Sequence, residues 1–119
     1  MSDEVKKPIS ILDHAEEQFS SIQRKQIDVP EWNTTIYAKP LTLAEKRKLY
    51  RNLGAKNDDI SSMMVDALIL KAEDKDGKKV FTPDDRDRLM NKVDPDVVSA
   101  IATEILYFKD AYSVEKKII

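Results

Sequence analysis

QIDVPEWNTTIYAK, residues 26–39, is where helical periodicity gives way to alternation. Ile27 and Val29 alternate with Gln26 and Asp28, a period of two that puts the apolar pair on one face of an extended strand. Pro30-Glu31-Trp32-Asn33 carries turn chemistry. Thr34 to Lys39 then returns as a run of β-branched and aromatic residues. The spacing predicts two short strands around a Pro-Glu-Trp-Asn turn. Pro40 closes the second, because it has no N–H to give to a ladder.

Downstream, helix starts are written in local chemistry. Thr42-Leu43-Ala44-Glu45 is a capping box, in which the Thr hydroxyl accepts from the Glu45 N–H and the Glu carboxylate reaches back to the Thr42 N–H. Leu43, Leu49, Tyr50 and Leu53 form the expected apolar stripe, with Lys46, Arg47, Lys48 and Arg51 around it and Gly54 as the stop. Asp58 or Asp59 can cap the next helix, which buries Ile60, Met63, Met64, Ala67 and Leu68. Leu68-Ile69-Leu70 can finish that helix or begin a strand. A strand running to Glu73 is expected, since Lys75-Asp76-Gly77 is a tight-turn signal and Lys79-Val80-Phe81 reads as the returning strand. Thr82-Pro83-Asp84-Asp85 opens another helix with Leu89, Met90 and Val93 inward, and Asp94-Pro95 opens the last. In that helix Val97, Val98, Ile101, Ile105, Phe108 and Tyr112 recur every three or four residues.

Upstream, Ile11, Ala15, Phe19 and Ile22 recur at helical spacing within residues 10–23. The expected fold is therefore α+β: a small antiparallel sheet of short hairpins packed against about four helices. The chain of 119 residues fits one such unit, with residues 1–9 a flexible polar arm, 10–113 the domain and 114–119 a short tail.

Composition narrows the function. The 20 Lys and Arg nearly cancel the 22 Asp and Glu, so there is no long-range field to attract nucleic acid or anionic lipid. With no cysteine there are no disulfides, thiolate metal sites or thiol nucleophiles. No run approaches the roughly 18 apolar residues that span a bilayer, and MSDEVKKPIS lacks the apolar stretch of a signal peptide. The expected location is the cytoplasm, with no membrane or nucleic-acid partner.

The candidate chemical sites weaken on inspection. Against the calcium-loop template, Asp74, Asp76 and Gly77 fall correctly, but Ala72 stands at the first position and Pro83 at the twelfth. A hairpin turn with solvated acids accounts for the stretch. His14 is the only histidine and has no cysteine to pair with. Asp84, Asp85 and Asp87 lie in the first turn of a predicted helix, where capping explains them. The two glycines, Gly54 and Gly77, do not make a phosphate-binding loop. The Lys46–Arg51 cluster has no interleaved aromatics for stacking bases. No catalytic, cofactor-binding or metal residues are assigned, and an enzyme is not expected. Met63 and Met64, which can re-pack against varied apolar partners, and the broad stripe of the last helix remain. Core packing is the default for all of them; a helix-in-groove partner site is the functional alternative.

Val29-Pro30-Glu31-Trp32, the Leu41-Thr42-Leu43 approach to a basic helix, and Asp76-Gly77 followed by Val80-Phe81-Thr82 and an acidic helix together resemble the tail assembly chaperones of long-tailed bacteriophages. The resemblance covers roughly residues 25–106. It implies a non-enzymatic role in the host cytoplasm: binding the long, helical, apolar tape measure protein during tail morphogenesis, and absence from the mature virion. It also implies self-association and, in a longer frameshifted form, recruitment of tail tube subunits. On this reading Met63, Met64, Val98, Ile101, Ile105 and Phe108 contribute to client or self-association surfaces. The alternatives are a minor structural tail or head–tail joining protein of the virion and, further off, a small nucleic-acid-binding regulator.

Overall fold

The computed structural model describes residues 10–51 and 60–107. The hairpin forms as expected. Strand β1 (Lys25–Val29) pairs antiparallel with β2 (Thr34–Ala38), with Ile27 opposite Ile36 and Val29 opposite Thr34. Between them Pro30–Trp32 makes one turn of 3-10 helix, and Asn33 takes the left-handed conformation at φ 57°, which asparagine tolerates better than most residues. Alternation puts Ile27, Val29, Ile36 and Ala38 on the buried face. Trp32 meets Phe81 edge to face at 6.4 Å, tying the turn to the distal part of the chain.

Five α-helices accompany this two-stranded sheet among the described residues: α1 (Ile11–Ser20), α2 (Leu43–Tyr50), α3 (Ile60–Lys71), α4 (Arg86–Asn91) and α5 (Pro95–Leu106). The fold is α+β. The predicted capping box closes α2, with Thr42 Oγ1 accepting from Glu45 at 3.1 Å and Glu45 accepting from Thr42 at 3.0 Å. Asp94 caps α5 through the Asp96 N–H at 2.9 Å, with Pro95 in the first turn. A 3-10 turn at Pro83–Asp85 leads into α4, and Asp85 accepts the Thr82 N–H at 2.9 Å. Helices α3 and α5 pack on one another, and α5 also packs under β1. Ile36, Leu68, Ile101 and Ile105, one from each of these layers save the shared α5 pair, are the largest fully buried side chains.

Three expectations are corrected. Leu68-Ile69-Leu70 finishes a helix instead of beginning a strand: α3 runs to Lys71, because Ala67, Leu68 and Lys71 share a helical face that is buried. The second hairpin shrinks to single bridges, in which Glu73 pairs with Tyr37 on one side and Lys79 on the other. Val80 still donates to the Ala72 carbonyl at 3.0 Å, but no strand continues through Phe81. The apolar stripe of α2 also differs, since Leu49 is buried but Leu43 is 85% exposed at the helix start. Leu53, Gly54, Asp58, Asp59, Phe108 and Tyr112, with the arm and the tail, lie outside the described residues.

Candidate interaction surface

The residues expected to meet a partner separate by depth. Val98 and Ile101 are buried, and Ile105 is 0% exposed. They seal α5 against α3 and β1, so their stripe is core, and a partner reaches them only if the fold opens. Met63 and Met64 are half-buried and packed against that core from α3. Phe108 lies outside the described residues.

The exposed apolar surface is elsewhere. Helix α1 has no buried residue: Ile11 is 87% exposed, Leu12 67% and Phe19 39%, with Ile22 just beyond the helix also exposed. At 3.6 residues per turn Ile11, Ala15, Phe19 and Leu12 share an arc of about 100°. Glu16 borders that arc, and Asp13 and Glu17 lie behind it, so the helix is amphipathic with an acidic polar side. A capping box closes its N-terminus. Ser10 Oγ accepts from Asp13 at 3.0 Å, and the Asp13 carboxylate accepts the Ser10 N–H at 3.3 Å. Its periodicity was legible in the sequence, but its exposure was not, because spacing defines a face without saying what covers it.

The chain is tied down four residues after α1. Arg24, just before β1, pairs with Glu73 at 3.2 Å, donates to the carbonyls of Asp74 (3.0 Å) and Lys75 (2.8 Å), and stacks over Tyr37 at 4.8 Å. The loop that receives it is itself braced. Asp74 Oδ1 accepts the N–H groups of Asp76 (2.8 Å) and Lys78 (3.0 Å), which hold its carboxyl below the usual carboxylate range. The acid once compared with a calcium ligand is thus occupied within its own turn, with Gly77 at φ 88°. At the same end of β1, its first residue Lys25 pairs with Glu104 at 2.8 Å and donates to the Tyr107 carbonyl at 3.0 Å, fastening the hairpin to α5.

A second feature is a cleft between α2, the end of α3 and the segment before α4, with a volume of about 540 Å³. Leu49, Ile69, Leu70 and Phe81 give it an apolar lining, and Lys48, Arg51 and Lys79 stand around it. Asp66, the acid at the cleft, is engaged by Arg86, which also reaches Ser62. The electrostatic character of the rim is therefore cationic.

The side chains that the sequence offered as chemical candidates are dispersed or locally engaged among the described residues. His14 sits exposed on α1, away from any cluster of three metal-ligating side chains among the described residues. Asp87 is hydrogen-bonded by the Asn91 amide at 2.9 Å, and Asp85 by the Thr82 N–H. Lys46, Arg47, Lys48 and Arg51 are exposed along α2 without a stacking platform. No described helix is long and apolar enough to cross a membrane. Comparison of the whole chain with family models, with curated proteins and with solved structures yields no match.

Proposed function

We propose that this protein is a non-enzymatic tail assembly chaperone of the long-tailed phage type, which holds the tape measure protein during tail morphogenesis and is then shed. The observation that carries the reading is α1: an amphipathic helix with Ile11, Leu12 and Phe19 turned to solvent while the core is closed without them. A holdase for an apolar helical client requires such a surface, and a helix can pair with a helix along i, i+3 and i+7 anchors. Leu12, Ala15 and Phe19 have that spacing. The mechanism is stoichiometric. Covering a client's apolar stripe removes it from the competition that leads to aggregation, and the client is released when the tail tube takes over the same surface. The motif resemblance over residues 25–106 supports the same class.

This reading puts the client on Ile11, Leu12 and Phe19 of α1 in place of Met63 and Met64 of α3, the Val98, Ile101 and Ile105 stripe of α5, and Phe108. Co-expression with the tape measure protein tests this directly. The client is expected to stay soluble and co-purify with the wild-type chain, and to be lost with Phe19→Asp. A client that stays insoluble with the wild-type chain and never co-purifies overturns the proposal.

A further inference from the structure

We infer that the solvent face of α2 is a second interaction surface, and that it takes an acidic amphipathic segment of a partner protein. The helix spends Leu49 on the core. At about 100° per residue, the side opposite Leu49 carries Leu43, Arg47, Arg51 and Lys48, in that order across an arc of about 140°. Arg51 belongs to the arc because its backbone, at φ −50° and ψ −40°, continues the helical turn. All four side chains are exposed, Leu43 by 85%. None of the ion pairs among the described residues involves Arg47, Lys48 or Arg51. Glu45, the acid of this helix, is committed to Lys71 at 3.0 Å.

The helix dipole favours cations near the C-terminus, but Arg47 with Arg51 is a like-charge pair four residues apart, which opposes the helix. The dipole also gives no reason for an exposed leucine beside them. A carboxylate-bearing neighbour removes the repulsion, and the two guanidinium groups present the planar fork that carboxylates fill. Phosphates would satisfy the same cations, yet a nucleic acid leaves Leu43 wet and finds no aromatic platform here. An acidic helix with its own apolar residues uses both features, laying carboxylates on Arg47, Arg51 and Lys48 and a side chain on Leu43. Solvent-exposed pairs are individually weak and screened by salt, so the contact is reversible and sensitive to ionic strength. This surface is separate from α1, and the inference does not depend on the proposed function.

Fluorescence anisotropy of the full chain with a labelled synthetic helix of Glu, Leu and Ala is the test. Wild type is expected to bind this peptide, less tightly as salt rises, and to bind a version with Ala for Leu or Lys for Glu at least about tenfold more weakly. Arg47→Glu with Arg51→Glu is expected to weaken binding by at least about tenfold, and Leu43→Ser by less. Phe19→Asp on α1 should leave it unchanged. Circular dichroism checks folding, and Arg47→Ala with Arg51→Ala gives a milder loss in the same direction should charge reversal disturb the helix. A wild type that ignores the peptide overturns the inference, as does binding indifferent to both arginine pairs. Tighter binding of a short duplex DNA than of the peptide assigns the face to nucleic acid and overturns it too. So does a peptide that fails to bind while Arg47→Glu with Arg51→Glu changes the sedimentation of the protein alone, which makes a second copy the occupant.

Discussion

Lys71 is a charge held inside the protein. It is 8% exposed, at the end of α3, and its ammonium pairs with Glu45 at 3.0 Å. Glu45 thus does two jobs, capping α2 through the Thr42 N–H and neutralising a buried cation from the next helix. Burial pushes its carboxyl up; the Thr42 N–H and Lys71 outweigh that, so it lies below the ordinary value. Glu45→Ala removes both contacts and should cost about 2 kcal/mol. Glu45→Gln preserves the cap but not the charge, and should cost about 1 kcal/mol. Urea unfolding measures both. Because the carboxyl binds its proton less readily when folded, its stabilisation is present above the ordinary carboxylate range and lost as pH falls through the folded value. The gap between wild type and Glu45→Gln should therefore be wider at pH 7 than at pH 3; a gap that grows on acidification would contradict the pairing. Ile105 poses the simpler case. With no exposed surface, Ile105→Ala should cost about 3 kcal/mol through lost contacts and a cavity, and Ile105→Asp should leave no cooperative transition by circular dichroism, since a lone carboxylate there has no partner.

Among the elements, what could be read in advance was what is decided locally. Thr42 with Glu45, Thr82 with Pro83, and Asp94 with Pro95 mark helix starts because a cap is made by residues three apart or fewer, whatever the rest of the chain does. The first hairpin was legible for the same reason, alternation and turn lying within fourteen residues. Leu68-Ile69-Leu70 was misread because a short apolar run satisfies strand and helix equally. The decision came from Lys71 reaching Glu45, 26 residues away, and from Ala67 and Leu68 closing on the core. The depth of each apolar stripe was hidden by the same gap. Helices α1 and α5 both show an apolar stripe, and only tertiary packing reveals that α5 spends its stripe on the core and α1 does not. Nothing in the local spacing of Ile11, Ala15 and Phe19 distinguishes the two cases. Over the described residues each stripe has four positions, and Val97, Val98, Ile101 and Ile105 are the four that went inside.

At the scale of the molecule, the chain behaves as a closed core with an attached helix. The core is knitted by the hairpin, α3 and α5, with α2 and α4 adding Leu49 and Leu89. Its strand edge is extended by Glu73 on Tyr37, and its long-range ties, Lys25 to Glu104 and Arg24 to Glu73, all begin after α1 ends. A net charge of −2 conceals segregation, with acids along α1 and bases along α2 and around the cleft. Stability and association should therefore separate. Removing residues 1–20 discards no buried side chain among the described residues, so the free energy of unfolding at low protein concentration should stay within about 0.5 kcal/mol of wild type. The same truncation should abolish self-association and raise solubility, because it takes away Ile11, Leu12 and Phe19 together. If the truncated protein loses several kcal/mol or its cooperative transition, α1 is part of the fold and the division between core and offered helix is wrong. If it keeps both its stability and its oligomers, the associating surface lies elsewhere on the body. The two measurements on one variant thus decide whether hydrophobic area on α1 is held in reserve for a neighbour or is already in use.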